Sequence, residues 1–284
     1  MLRLASGDGS VELDPVWGGR LAALHVGGDA LLLDAASAGE AAPAIGWGGY
    51  PMAPWVGRLE DAALPWRGRE HTLPADHGRH AIHGLVHSRA ARVEVACDTM
   101  ARLTTPIPSP PWPWAATLTQ EVRLAPGELT VAGEVRAERD CQPVALGWHP
   151  WFRRGRGDVA LRVPAERVVV TDDELVATAA TEPVRGATDL RTLAPLGERR
   201  LDHTFVDLDG PVTLAWPGRT VELHPGEGIV AVHVFVTDDD VCVEPLSAWP
   251  NAHRVEGAAE GSLGLAVACP DAPLRASWGL RWRS

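Results

Sequence analysis

His149 stands between two tryptophans in VALGWHPWF (144–152), behind an apolar run and just before a proline. An imidazole in that setting is either a structural group bonded to a backbone carbonyl or a titrating group held in a dry cleft. Glu244 ends the apolar run VCVE (241–244), and the proline that follows stops a strand's hydrogen-bond ladder. Strand alternation puts Val241 and Val243 on one face and Cys242 and Glu244 on the other. A carboxylate at such a strand end is partly desolvated, which raises its pKa toward the range of a general base. The alternative is a glutamate paired with a nearby arginine.

Four histidines, His77, His80, His83 and His87, fall within DHGRHAIHGLVH (76–87). Their spacing would gather a metal only on a helix, and Gly78 and Gly84 argue against one. A loop presenting one or two imidazoles to a polar ligand is the better expectation, with no metal. Arg58 follows a Pro-Trp turn in MAPWVGRLED (52–61), where a guanidinium forks onto vicinal hydroxyls or a carboxylate. The plainer alternative is a surface pair with Glu60 or Asp61. Asp202 precedes a short apolar run in LDHTFVDL (201–208) and is alternatively a turn aspartate bonded to the backbone.

The elements that must position these groups read as strands almost throughout. ATLTQEVRL (116–124) puts Leu118, Val122 and Leu124 on one face, and ELTVAGEVRA (128–137) does the same with Leu129, Val131 and Val135, with a hairpin turn at APG between them. IVAVHVFVT (229–237) is apolar on both faces and is expected to be a central strand. The only small helical candidate is AASAGEAAPA (35–44), cut by its proline, and PIPSPPWPWA (106–115) reads as an ordered loop. Many short strands with closely spaced turns indicate an all-β protein built as a large antiparallel β-sandwich, taken as one domain over 1–284.

The chain has 284 residues and a formal charge of −11 without any basic block, which excludes nucleic acid and anionic membrane as natural partners. Lysine is absent, so Schiff-base catalysis and lysine-bound pyridoxal phosphate are excluded. No apolar run approaches the length of a bilayer span, and MLRLASGDGS at the start holds no apolar signal region, so a cytoplasmic location is expected. Cys97, Cys141, Cys242 and Cys269 are far apart in sequence and are expected as free buried thiols.

Taken in order, YPMAPWVGRL, HAIHGLVH, GWHPWF, LDHTF and VCVEPLSAWPNA resemble the Asn-Arg, His-Gly, catalytic histidine, aspartate and catalytic glutamate segments of the aldose 1-epimerases, the galactose mutarotase-like family. The resemblance implies a β-sandwich of the supersandwich type and a cofactor-free isomerase that interconverts the α and β anomers of a sugar. It implies Glu244 as general base, His149 as general acid, and Arg58, His83 and Asp202 as the groups holding sugar hydroxyls. Gly57 departs from the asparagine that often precedes the family's arginine, removing one amide from hydroxyl recognition, and His77, His80 and His87 receive no role.

A carboxylate and an imidazole suit this chemistry because both are tunable to titrate near neutral pH. Glu244 is expected to rise in pKa, and His149, beside it, to be favoured as the cation. Trp148 and Trp151 alternate across their strand, so at most one faces a sugar. Three other readings stay open. One is a non-catalytic carbohydrate-binding protein on the same fold. Another is a hexose 6-phosphate epimerase drawing on Arg153, Arg154 and Arg156 of FRRGRGD (152–158). The third is a metal-dependent lyase or isomerase using the histidine cluster.

Overall fold

The structure, a computed structural model, describes residues 1–39, 44–155, 159–255 and 263–283. Among them, strands form one eleven-stranded and one nine-stranded sheet, with three two-stranded ribbons beside them. The hairpin expected at APG is present: Ala116–Ala125 pairs antiparallel with Glu128–Ala137, closing at Ala125 and Glu128. Leu118, Val122, Leu124, Leu129, Val131 and Val135 are all buried, because alternation points them at the facing sheet.

The larger sheet carries the site. Its central strands run in the order Gly49–Met52, Gly147–Arg153, Asp240–Leu246, Ala231–Val236 and Leu201–Leu208. One face of these strands presents Trp148, Phe152, Val241, Val243, Val232, Val234 and Phe205 to the main core. Trp148 reaches across the sandwich and lies over Gly133, where an added Cβ would meet the indole at 2.8 Å. Its Nε1 donates to Gln120 Oε1 at 2.9 Å, which satisfies the one polar atom of a fully buried ring.

The opposite face differs from the expectation of an apolar strand at 229–237. Ala231–Val236 is central, yet only one of its faces is core, and the other points His233 and Phe235 into a cleft. Below the cleft a second apolar cluster, including Tyr50, Met52, Val206, Ala231 and Leu246, seals the sheet.

Two short α-helices occur among the described residues, Ala35–Ala38 and Ala252–Val255. Ala35–Ala38 lies inside the expected helical candidate, part of which (40–43) is outside the described residues. No helix among them is long and apolar enough to cross a membrane.

The cysteine expectation is corrected. Cys141 and Cys269 form a disulfide. They flank strands Gln142–Val144 and Ala266–Ala268, whose antiparallel pairing of Gln142 with Ala268 sets the two thiols opposite each other. Cys97 is exposed, and only Cys242 is the free buried thiol expected.

Candidate active site

Register builds the site. Gly147 pairs with Leu246 and Trp151 with Cys242, so His149, midway between, stands opposite Glu244. His149 pairs with Tyr50 on its other side, Glu244 pairs with His233, and His233 pairs with Thr204. One row thus crosses five strands as Tyr50, His149, Glu244, His233 and Thr204. Two residues along the strands, and therefore on the same face, a second row holds Trp151, Cys242, Phe235 and Asp202. Both rows, Cys242 excepted, floor a cleft of about 850 Å³, a size typical of small-molecule sites.

His149 Nε2 lies 3.1 Å from Glu244 Oε1, and both side chains are nearly fully buried. The contact is at ion-pair distance without forming a hydrogen bond, which leaves Glu244 Oε1 without a partner; His149 Nδ1, the other ring nitrogen, has none either among the described residues. Buried polar atoms without a partner are uncommon in folded proteins and mark a place where function outweighs stability. The His149 ring is nearly parallel to Tyr50 at 4.8 Å and to Trp151 at 5.2 Å, which fixes its plane. Trp151 lines the cleft and Trp148 does not, so a single tryptophan of the two is available to a ligand there.

Burial pushes the Glu244 carboxyl up to about 8, as expected for a desolvated base. The expectation of a cationic His149 is corrected: burial, reinforced by the charge of His233, pushes its imidazole down to about 3, outweighing the Asp202 carboxylate. Both shifts favour a neutral pair that shares one proton.

The imidazole in the row whose proton affinity is raised is His233, which its apolar strand does not advertise. Burial pushes it down, but the charge of Glu244 and the bond and charge of Asp202 prevail and raise it above the ordinary value. Its Nε2 lies 3.0 Å from Asp202 Oδ1, and its Nδ1 lies 2.9 Å from Thr204 Oγ1. The sequence did carry a signal for it. A tight hairpin turning at Asp238–Asp239 sets 233 opposite 244, so the one imidazole in an apolar strand had to face the glutamate.

Asp202 lies on a strand and is not a turn aspartate. Its other carboxylate oxygen accepts from Arg58 Nη2 at 3.3 Å. Burial raises its carboxyl, but His233 and Arg58 outweigh that and hold it well below the carboxylate range. Arg58 therefore joins Asp202 and not Glu60 or Asp61, which pair with Arg254 and Arg79.

The four loop histidines do not converge. His80 sits 2.8 Å from Glu174 and accepts the Asp61 backbone N–H, while His87 is half-buried near the guanidinium of Arg20, whose Nη2 bonds to the His87 carbonyl. His77 lies at the cleft's edge. His83 faces the cleft with φ of 58° and its ring edge-on to His149 at 5.0 Å. Gly57 explains the departure from asparagine. Its φ is +60°, and a Cβ there would meet Pro250 Cβ at 2.6 Å.

The family model for aldose 1-epimerase matches residues 3–262. The chain belongs to the aldose 1-epimerase family. Among solved structures, this family member is similar to a candidate aldose 1-epimerase of Escherichia coli K12, with TM-score 0.86, 20% identity, and coverage of 99% of this chain and 98% of that one. It is similar to a GalM/aldose epimerase homologue from C. elegans, with TM-score 0.86, 15% identity, and coverage of 99% and 98%. It is also similar to a galactose 1-epimerase from Lactobacillus acidophilus NCFM, with TM-score 0.81, 16% identity, and coverage of 98% and 92%. These likenesses establish the galactose mutarotase-like sandwich. No curated protein matches the chain in sequence.

Proposed function

We propose that this family member is an aldose 1-epimerase, a mutarotase acting on free aldoses by general acid–base catalysis. The carrying observation is the buried pair His149–Glu244, 3.1 Å apart, lining a cleft that also presents Arg58, His83 and Asp202. Mutarotation removes the proton from the anomeric hydroxyl and adds one to the ring oxygen, so a pair holding one proton gives one and takes one. With the proton on His149, Glu244 takes the O1 proton while His149 protonates O5, and the C1–O5 bond breaks to give the open-chain aldehyde. Rotation about C1–C2 presents the other carbonyl face, and the ring closes with the two groups exchanging duties. The pair ends with the one proton it began with. Arg58, His83 and Asp202 hold ring hydroxyls, and Trp151 offers an indole to the C–H face of the pyranose.

The free sugar is preferred to the 6-phosphate on charge. Arg153 bonds to the Leu32 carbonyl and pairs with Asp34 at 3.3 Å, and Arg154 donates to the carbonyls of Thr237 and Gly197. Asp238, Asp239 and Asp240 line the same end of the cleft, a poor setting for a dianion. Arg156 lies outside the described residues. A binding protein would have no use for a buried acid–base pair, since desolvating a carboxylate and an imidazole costs stability without adding affinity.

Saturation transfer between the anomeric proton resonances of glucose, galactose and glucose 6-phosphate tests this. Enzyme-dependent exchange is expected for a free hexose and weaker exchange for the phosphate. Exchange for the phosphate alone would reverse the assignment, and exchange for none would favour the binding protein.

A further inference from the structure

His233 takes no part in the proton transfers assigned above, yet it is the neighbour of Glu244 on the side away from His149. We propose that His233 is a positioning residue which, held as an imidazolium by Asp202, governs how readily Glu244 gives its proton to His149. The proposal rests on the mutarotase reading for its catalytic meaning, while its electrostatic core concerns Glu244 alone.

The need for such a residue follows from the reaction. Glu244 and His149 must exchange duties in every turnover, so the shared proton must be able to rest on either. Burial works against this, because it favours the neutral form of each group and leaves the proton on the carboxyl. A positive charge beside Glu244 lessens the imbalance. Neighbouring strands lie about 4.8 Å apart, so His233 is one strand from Glu244 and two from His149. Its field falls off with distance, so it stabilises the Glu244 carboxylate more than it opposes a proton on His149.

The surroundings of His233 fit a held cation. Glu244 and Cys242 face it from strand Asp240–Leu246, His149 from the strand beyond, Asp202 and Thr204 from Leu201–Leu208, Arg58 from Arg58–Leu59, and His83 from its loop. His203 is the remaining titratable neighbour, and its Nδ1 accepts the Asp202 backbone N–H at 3.2 Å. Asp202 Oδ1 lies 3.0 Å from one ring nitrogen, and the Thr204 hydroxyl, 2.9 Å from the other, accepts from a protonated Nδ1. Arg58 binds the second oxygen of Asp202, so the carboxylate stays ionised and keeps its charge available to the imidazole.

The test compares wild type with His233→Gln, which keeps an amide donor for Asp202 and removes the charge. Glu244 titration is followed by 13C NMR of its carboxyl, and the histidine rings by 15N NMR. The expected results are a His233 ring protonated on both nitrogens at pH 7 and a Glu244 midpoint at least about one pH unit higher in the variant, a tenfold change in proton affinity. The alkaline limb of kcat/KM should move up with it, with kcat reduced and KM little changed. A neutral His233 ring in wild type, or an unmoved Glu244 midpoint, overturns the proposal. The wild-type ring spectrum decides the matter even if the variant fails to fold. Because both NMR readouts need no turnover, a protein that catalyses no anomer exchange would refute the mutarotase reading and leave this test standing.

Discussion

The Nε2 atom of His149 and the Oε1 atom of Glu244 stand 3.1 Å apart at opposed positions on neighbouring strands, each buried and each belonging to a group with an unbonded polar atom. The two groups are brought together by long-range strand pairing alone, since ninety-five positions separate them in the chain (244 less 149).

The pH dependence of the reaction follows from this pair. Burial holds the Glu244 proton until about pH 8 and keeps His149 neutral down to about pH 3. Between those limits the pair carries the one proton the reaction needs. Above about pH 8 it carries none and no acid remains. After subtraction of the spontaneous rate, kcat/KM should be level through neutrality and fall with unit slope on the alkaline side. A profile still level at pH 10 would remove Glu244 from the mechanism.

The same shift has a stability consequence of defined sign. The folded carboxyl binds its proton more tightly than the unfolded one, so this group's contribution is full below its ordinary value of 4.5 and is lost as pH rises through about 8. Glu244→Gln removes the titration, so its Tm should gain on that of wild type as pH rises from about 4.5 to about 8. Parallel Tm profiles for the two proteins would contradict the raised carboxyl.

Gly57 is required by space as well as by backbone. Gly57→Asn places a side chain at φ +60°, with its Cβ 2.6 Å from Pro250 Cβ. A clash with a rigid proline ring should cost about 1–3 kcal/mol, read as a fall in the denaturant midpoint. Unchanged stability together with tighter sugar binding would show that Pro250 yields and that the missing amide is the only effect.

The cysteine chemistry is open to direct counting. The native protein should react with a thiol reagent at Cys97, and unfolding without reductant should add Cys242 and no other. Four reactive thiols in the unfolded, unreduced chain would rule out the Cys141–Cys269 bond.

The parts legible in the sequence are those governed by neighbours. Period-two alternation found the strands, and the APG turn fixed the Ala116–Ala125 hairpin with its register. Arg58, His149, Asp202 and Glu244 each stand out within their own segment, His83 is set apart from three neighbouring histidines only by the family resemblance, and all five line one cleft. What stayed hidden depends on pairings between distant strands. Tyr50 gains meaning only because its strand pairs with that of His149. Cys141 and Cys269 are 128 positions apart and meet only through a two-stranded ribbon. His149 beside Glu244 reads as a cation, but the depth of its burial, set by the flanking rings of Tyr50 and Trp151, reverses the balance. His233 is within reach of a sequence reading, since its partner lies across a single hairpin, but an imidazole in an apolar strand reads as core.

The most direct measurement is polarimetry of freshly dissolved α-D-galactose and α-D-glucose with wild type, Glu244→Gln and His149→Ala, each first shown to be folded. Wild type should speed the decay of rotation for at least one sugar, and each variant should lose about 100-fold or more of that acceleration, as expected when a member of an acid–base pair is removed. A wild type that leaves the spontaneous rate unchanged, or variants as active as wild type, would contradict the assignment of Glu244 and His149 as the proton-transfer pair.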